Sequence, residues 1–218
     1  MHMLTRLQSM PNTSTLSQPD LAGGDGAAPR IFRLRDGRTV ALRAARSKDG
    51  SAIQQFVRGL STRSRLNRFF SPVRELSPDQ LERVTRSDPG ALTLVGEIAE
   101  RMGARIVAMA QYAACEPPDA ECAVVVDDAW QRQGLGIQLI HTLAEHAARA
   151  GLATFSGFVL TDNWPMLALL ARLDCDVSDC DRYTMRFAKG LDAYRTSSTR
   201  RPIAALAAGW HRDRRPRA

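Results

Sequence analysis

The sequence predicts an α/β (α+β) fold in which strands and helices do not alternate regularly. Two observations predict it. Hydrophobic periodicity indicates a strand, two or three helices, three strands, a helix, a strand, a helix and two further strands, in that order. This order is not a repeating strand–helix unit, so an all-parallel, doubly wound sheet is disfavoured. In addition, an apolar strand ending at Val126 leads through a glycine-containing turn into a long amphipathic helix.

In the first half of the chain, turn and cap signals delimit the elements. Residues 1–29 are rich in Ser, Thr, Pro, Gly and Ala without periodicity, so they are predicted to be disordered. Asp36-Gly37 indicates a hairpin turn between a strand that begins near Arg30 and a second strand at residues 39–43. Three helices follow. Ser47 and Ser77 are the predicted caps of the first and the third, and the second is predicted to cover Ser61 to Phe70.

The second half of the chain is predicted to contain most of the sheet. The expected elements are a hairpin of residues 91–99 and 105–114, a strand from 121 to 126, a helix from 135 to 150, a strand from 153 to 160, a helix from 163 to 173, and a closing antiparallel pair. The helix at 163–173 has an asparagine at its predicted cap and a proline in its first turn.

The net charge of +7 is concentrated near the C-terminus. Residues 190–218 are rich in arginine and lack periodicity, so they are predicted to form a basic, disordered tail. The folded domain is therefore expected to span residues 30–189. The charge of the tail does not by itself indicate a nucleic-acid partner, because basic tails are often only solvated.

Length and composition favour a cytoplasmic globular protein. The chain has 218 residues and an apolar fraction of 44%, which suits one domain with a hydrophobic core. It has no apolar run of about eighteen residues and no signal-peptide pattern, so neither membrane insertion nor secretion is expected. Cysteines stand at positions 115, 122, 175 and 180 without metal-site spacing, and we expect reduced thiols and no metal.

The turn at residues 131–136 has the composition of an anion-binding loop. Backbone N–H groups at a helix N-terminus have no intrahelical partner, and glycine lets an anion approach the backbone closely. A dinucleotide fingerprint requires a third glycine where position 139 is Leu, and no nucleotide-triphosphate loop sequence is present. The pattern that is present, Gln131-x-x-Gly134-x-Gly136, resembles the [QR]-x-x-G-x-[GA] pyrophosphate signature of the GNAT acyl-CoA N-acyltransferases.

This resemblance covers roughly residues 38–188. It implies the GNAT fold, with a mixed, mostly antiparallel central sheet and flanking helices, and acetyl-CoA as cosubstrate. In that fold the central parallel pair of strands splays apart, and the pantetheine arm lies between the strands. The strand before the turn offers backbone groups to pantetheine, the turn binds the pyrophosphate, and an Asn opens the helix after the next strand. The residues that match these positions are Val124, Val125, Val126, Gln131, Arg132, Gln133, Gly134, Leu135, Gly136 and Asn163.

The front of the domain shows a second resemblance. The sequences Leu60-Ser61-x-x-Ser64 and Arg68-Phe69-Phe70 look like the acetyltransferase domain of bacterial protein-lysine acetyltransferases. One departure concerns Asp174-Cys175, where families of this kind commonly have Gly-Phe. This departure affects a detail of the fold and leaves the expected CoA site intact.

The same resemblance implies a general base. In the lysine acetyltransferases that the chain resembles, a Glu at the position of Glu121 takes the proton of the attacking amine, so Glu121 is the expected catalytic residue. Asp127 and Asp128 are alternatives, although both are expected beside the phosphates. Many GNAT enzymes protonate the departing thiolate with a Tyr in the late helix. This chain has none there, so Tyr183, Ser156 or water remain open.

The predicted function is that of an N-acetyltransferase. It moves an acetyl group from acetyl-CoA to a primary amine by direct attack, and a protein lysine is one candidate acceptor. The alternatives are a small-molecule amine acetyltransferase and a catalytically weak CoA-binding regulatory module. The expected partner is the amine substrate, without a membrane or nucleic acid, and the oligomeric state is left open.

Overall fold

The computed structural model describes residues 28–86, 90–101, 103–116 and 118–195. Its strands are β1 Arg30–Arg33, β2 Thr39–Ala44, β3 Ala91–Glu100, β4 Gly103–Glu116, β5 Asp119–Val126, β6 Thr154–Leu160, β7 Asp176–Asp179 and β8 Thr184–Gly190. They form one sheet in the order β1-β2-β3-β4-β5-β6-β8-β7. Neighbouring strands run antiparallel, except that β5 and β6 run parallel. The predicted mixed, mostly antiparallel sheet is therefore confirmed.

The helices cover both faces of this sheet. They are α1 Gly50–Gly59, α2 Thr62–Phe69, α3 Pro78–Thr85, α4 Leu135–Arg149, α5 Trp164–Arg172 and the one-turn helix α6 Asp192–Arg195. On one face, α4 packs against β3, β4 and β5, while α1 and α3 pack against β4 and β3 on the other. Within the described ranges, no helix combines the length and apolar character needed to cross a membrane.

The serine cap predicted at Ser77 is confirmed, and Ser61, predicted as the first residue of its helix, is a cap as well. Ser61 caps α2 by accepting a hydrogen bond from the Ser64 backbone N–H over 3.1 Å. At α3, Ser77 accepts from the Gln80 N–H over 3.3 Å, and the Gln80 side chain accepts from the Ser77 N–H over 2.8 Å. These bonds satisfy N–H groups that have no partner inside the helix, so the chain turns sharply into both helices at the predicted positions.

The cap predicted at Ser47 is wrong. Ser47 is the first residue of a short 3₁₀ turn that ends at Asp49, and α1 begins only at Gly50. The carboxylate of Asp49 accepts from the Arg46 N–H over 2.8 Å and so holds this turn. A three-residue 3₁₀ turn before a helix leaves no separate mark on hydrophobic periodicity, which explains the error.

The folded domain continues past the predicted boundary at residue 189. Leu191 is completely buried, and the Tyr194 hydroxyl lies 2.8 Å from Nδ1 of His141 on α4. Arg195 donates to the backbone oxygen of Leu152 over 3.2 Å. Residues 190–195 thus belong to the domain. The predicted disorder of residues 1–27 and 196–218 lies outside the described residues.

A buried ion network joins β2, β3 and the 3₁₀ turn. Arg43 donates to Asp49 over 2.6 Å and 3.1 Å and to Glu97 over 2.9 Å, and side-chain exposures are only 12%, 8% and 7% for Arg43, Asp49 and Glu97. Burial favours the uncharged form of Asp49, but its bonds to Arg43 outweigh this effect and lower its pKa. In the folded protein, Asp49 and Glu97 thus share the single buried guanidinium of Arg43.

Replacing Arg43 should destabilise the fold strongly. Arg43→Met leaves two carboxylates buried without their cation, and loss of one member of a buried ion pair typically costs about 3–5 kcal/mol. The free energy of unfolding in urea measures the effect. The matched control is Arg58→Met, which removes the ion pair of Arg58 with Glu75, where both side chains are more than half exposed. That change should cost at most about 1 kcal/mol, and an equal loss in both variants would contradict the role of burial.

Candidate active site

Strands β5 and β6 pair over a short distance and then separate. Their ladder joins residues 119–121 of β5 to residues 154–156 of β6, and no further pair follows within these two strands. On their outer sides, β5 stays paired with β4 as far as Val126, and β6 stays paired with β8 as far as Leu160. The parallel pair is therefore held open from outside, as the sequence resemblance predicted.

The separation opens a cavity of about 380 Å³. One wall is β5 from Cys122 to Val126, and the opposite wall comes from Phe158 and Val159 of β6 together with α5. Gly157 and Phe187 are cross-strand partners at the narrow end, where a Cβ on Gly157 would meet the Phe187 ring at 2.7 Å. The volume is in the range of small-molecule sites.

The turn after β5 forms the rim of this cavity. It begins with a 3₁₀ turn, Asp128–Trp130, and ends at Gly134, the residue before α4, with a φ of 91°. A Cβ on Gly134 would meet no atom within 4 Å, so the backbone is open to a ligand there. The first N–H groups of α4 have no intrahelical acceptor, and the helix dipole adds positive charge at this end. The turn therefore has the properties of an anion-binding site.

Most of the residues predicted to bind the cofactor line the cavity. They are Val124, Val125, Val126, Gln131, Arg132, Gly134, Gly136 and Asn163. Leu135 and Gln133 are not among the lining residues. The Leu135 side chain is 1% exposed in the core, and the Gln133 carbonyl accepts from the Arg35 N–H over 3.4 Å. These two residues contribute to the turn through the backbone.

Hydrogen bonds tie this turn to the first residues of α2. The hydroxyls of Ser61 and Ser64 each donate to Asp128 over 2.8 Å, and the Ser61 N–H donates to Asp128 over 3.1 Å. The Gln131 amide donates to the Ser64 hydroxyl over 3.1 Å and to the Val126 carbonyl over 3.0 Å. The Gln131 side chain thus braces the turn, and the two serines of the Leu-Ser-x-x-Ser pattern hold Asp128.

The two aspartates considered as alternative bases are both engaged in structural contacts. Asp127 accepts from Arg105 and from the Ala129 N–H, each over 3.0 Å. Burial by itself would raise the pKa of Asp128, but its hydrogen bonds from Ser61 and Ser64 outweigh burial and lower that pKa. A carboxylate held in its charged form by three donors is a poor proton acceptor.

Glu121 lies where the two parallel strands part. It is the third residue of β5, which begins at Asp119 and not at Glu121 as predicted, and it pairs with Ala113 on one side and Ser156 on the other. It is half-buried next to Cys122, the deepest β5 residue of the cavity wall, but is not itself part of the cavity lining. Glu121 thus stands at the closed end of the cavity, opposite the glycine turn.

The other candidate groups are less suited to proton transfer. Tyr183 is 67% exposed and lies outside the cavity lining, and Ser156 is also not part of that lining. The Cys122 thiol faces the cavity, but burial raises its pKa, so it is held as the neutral thiol. Among the described residues, no group of three or more His, Cys, Asp or Glu is arranged to hold a metal ion.

The structure adds cavity residues that the sequence reasoning missed. Arg35, from the β1–β2 hairpin, and Arg172, from the last turn of α5, line the cavity together with Arg132. Asn67 and Arg68 of α2 line it as well. These side chains come from four separate parts of the chain, and no local sequence pattern groups them.

Asp128→Asn should weaken the tie between the turn and α2. The variant keeps the shape but removes the charge that the donors stabilise, and we expect a loss of about 1 kcal/mol at pH 7. Because the folded-state pKa of Asp128 is lowered, its contribution is present above the unfolded pKa of about 4 and is lost as the pH falls through the folded value. The stability difference between wild type and variant should therefore shrink in urea unfolding below about pH 4.

The control for this experiment is Asp179→Asn, on the edge strand β7. It removes one carboxylate far from the turn and should leave the acid dependence of stability close to that of the wild type. A difference between wild type and Asp128→Asn that stays constant down to pH 3 would contradict the charged hydrogen-bonded state.

Comparison with known proteins identifies the family. A model of the acetyltransferase (GNAT) family matches residues 60–174, just over half of the chain. The protein therefore belongs to the GNAT acetyltransferase family, a class of acyltransferases. This membership confirms the family, and with it the enzyme class, that the glycine turn indicated.

Individual relatives agree with the family match. An acetyltransferase from Pseudomonas aeruginosa is 35% identical over 123 residues, which make up 56% of this chain and 66% of that protein, just under two thirds. The GNAT domain of S. lividans PAT has a TM-score of 0.68 and 25% identity, over 74% of this chain and 96% of that domain. The yncA protein from Salmonella typhimurium, solved with its cofactor acetyl-CoA, has a TM-score of 0.56 and 19% identity, over 76% of this chain and 98% of that one.

Proposed function

We propose that the protein is an N-acetyltransferase that transfers an acetyl group from acetyl-CoA to a primary amine, with Glu121 as the general base. The observation that carries this proposal is the separation of β5 and β6 after residue 121. It creates a cavity that has an anion-binding turn at one end and a carboxylate near the other. This is the arrangement that a long cosubstrate with a pyrophosphate and a reactive thioester requires.

The residues of the cavity fit acetyl-CoA. The open backbone at Gly134 and the first N–H groups of α4 suit the pyrophosphate, with Arg35, Arg132 and Arg172 as nearby cations. Beyond residue 121, β5 no longer pairs with β6, so its backbone groups on that side suit the amides of pantetheine. The yncA protein, which shares this fold, was solved with its cofactor acetyl-CoA, and this supports acetyl-CoA as the cosubstrate that we propose.

The chemistry that we assign to this chain is proton removal. Alkyl amines have a pKa near 10.4 and are mostly protonated at neutral pH, so the attacking nitrogen must lose a proton. Glu121 takes this proton directly or through water, as the amine nitrogen bonds to the acetyl carbon and the carbon–sulfur bond breaks. The departing thiolate is protonated by water, because the cavity lining has no tyrosine among the described residues. Direct attack is favoured over an acyl-cysteine because the Cys122 thiol is held neutral.

The proposal also concerns the acceptor amine and the cellular location of the protein. A protein lysine and a small amine both present the primary amine that the mechanism needs. The missing tyrosine favours one further candidate, a CoA-binding module with weak catalysis. The turnover measurement below decides between this module and an active N-acetyltransferase. All four cysteines lie in the described part of the chain and carry free thiols, which fits the cytoplasmic location that we propose.

Gly134→Asp should abolish acetyl-CoA binding. The variant places a side chain and a negative charge where the pyrophosphate is expected. Acetyl-CoA at about 100 times its Kd should raise the free energy of unfolding of the wild type by about 2.7 kcal/mol and that of the variant not at all. Thermal unfolding with and without acetyl-CoA measures both.

The matched control for Gly134→Asp is Gly151→Asp, at the opposite end of α4. Gly151 has a φ of 86° against 91° for Gly134, and a Cβ at either position would meet no atom within 4 Å. Both changes therefore introduce similar backbone strain, but only the first reaches the cavity. A folded Gly134→Asp protein with wild-type affinity for acetyl-CoA would show that the pyrophosphate binds elsewhere.

Glu121→Gln should slow catalysis without affecting cosubstrate binding. The amide keeps the shape of the side chain and cannot accept the proton, so kcat on a good amine substrate should fall by about 10²-fold or more. The Kd for acetyl-CoA should remain near that of the wild type. The control is Glu116→Gln, at the exposed end of β4, which should retain the full rate.

Two outcomes would contradict the assignment of Glu121. Full activity of the folded Glu121→Gln protein would place the base elsewhere. No turnover of any amine by a wild-type protein that binds acetyl-CoA would favour the CoA-binding module.

A further inference from the structure

Arg68 is a buried cation in the wall of the cavity. It lies on α2, lines the cavity and is only 8% exposed. Helix α2 packs against β5, and Val125 belongs to the hydrophobic cluster on that face of the sheet. Because side chains alternate along a strand, Glu121 points to the same face as Val125. Arg68 and the proposed base therefore stand on the same side of the sheet.

The guanidinium of Arg68 has little compensation for a buried charge. Its Nη2 donates to Gln111 Oε1 over 2.8 Å, and its Nε has no hydrogen-bond partner among the described residues. Gln111 is neutral. Burial lowers the pKa of Arg68 to about 10, and the charge of Glu121 opposes this effect only in part. The charged form of Arg68 is thus incompletely stabilised by the protein itself.

Arg43 shows how this fold treats a structural cation. Arg43 is also buried, yet it forms short hydrogen bonds to two carboxylates, Asp49 and Glu97. Arg68 is at least as buried, but its neighbours are the neutral Gln111 amide, the Phe69 ring with its centroid 5.0 Å from the guanidinium carbon, and the charge of Glu121, which compensates it only in part. An incompletely compensated buried charge is destabilising, and natural proteins keep such groups mainly where function uses them. This difference indicates that a ligand completes the compensation of Arg68.

A second incomplete polar group lies next to Arg68. Asn67 also lines the cavity, and its Oδ1 is buried without a hydrogen-bond partner among the described residues. These two residues, adjacent in sequence, therefore contribute donors and one acceptor to the lining of the cavity. A ligand that carries both an anionic group and an N–H group would satisfy both.

We propose that Arg68 binds a carboxylate of the acceptor, so that the amine substrate carries an anionic group near its reacting nitrogen. The inference rests on the proposed function, because it assumes acyl transfer to an amine in this cavity. The planar guanidinium matches the geometry of a carboxylate, and Asn67 Oδ1 accepts an N–H of the same molecule. The carboxylate belongs either to a free amino acid or to an acidic side chain beside a lysine in a protein.

Paired substrates test this inference and separate the two sources. Free lysine is compared with cadaverine, which is lysine without its carboxylate, and a lysine peptide with flanking Glu is compared with the same peptide with flanking Gln. The wild type should prefer the carboxylate-bearing member of at least one pair by about 10- to 100-fold in kcat/KM, the range for a hydrogen bond to a charged group. The pair that shows the preference identifies the source.

Arg68→Gln should remove this preference by raising KM for the carboxylate-bearing substrate about 10- to 100-fold more than KM for its neutral analogue. Arg68→Lys should retain part of the preference, because it keeps the charge but not the planar geometry. The matched control is Arg65→Gln, on the same helix but outside the cavity lining, which should keep the full preference.

Three results would overturn the inference. The first is equal wild-type rates on both members of each substrate pair. The second is a preference that survives Arg68→Gln. The third is an Arg68→Gln protein in which KM for acetyl-CoA rises while KM for the acceptor stays unchanged. In the first case, turnover of the neutral amines would leave the proposed function standing. If no amine is acetylated, calorimetry on the CoA-loaded protein tests the role of Arg68 without turnover. Lysine should then bind at least tenfold more tightly than cadaverine, and equal affinities would overturn the inference.

A stability measurement separates a binding role of Arg68 from a structural one. Arg68→Met removes a poorly compensated buried charge, so its melting temperature should equal or exceed that of the wild type, whereas Arg43→Met should melt at a lower temperature. A drop for Arg68→Met as large as that for Arg43→Met would show that Arg68 holds the fold together, and would overturn the proposal.

Discussion

The active site depends on the loss of pairing between β5 and β6. A sheet normally satisfies its backbone groups strand by strand, and here that pattern stops after residue 121 of β5 and residue 156 of β6. Antiparallel partners on the outer sides keep both strands extended, so the gap does not collapse. The cavity, the exposed backbone of β5 and the position of Glu121 all follow from this one interruption.

The glycine turn is held in place from outside its own sequence. Asp128 and Gln131 are fixed by the serines at the start of α2, and this contact joins the helix that carries Arg68 to the turn that forms the cavity rim. The helix cap and the turn therefore share one hydrogen-bond network. Its effect is to position the proposed acceptor side and the proposed cofactor side of the site relative to each other.

The two buried arginines differ in their electrostatic surroundings, and this difference distinguishes a structural role from a proposed binding role. Arg43 is surrounded by carboxylates and contributes to the cohesion of β2 and β3. Arg68 is equally removed from water, but its hydrogen bond goes to a neutral amide, and the charge of Glu121 compensates it only in part. The same residue type thus serves the fold in one place and, in our proposal, substrate recognition in the other, and the surrounding charges make the difference.

The sequence by itself determined the order of elements, the hairpin at Asp36-Gly37, the cap at Ser77, and the family, because periodicity, turn chemistry and a glycine pattern act over a few neighbouring residues. It missed the inclusion of Leu191 in the core and the bracing role of Gln131. Only the tertiary structure decided that Arg68 meets Gln111, 43 positions away, and that Gln131 meets Ser64, 67 positions away. Local patterns carry no information about such contacts, because these depend on how the sheet and helices pack.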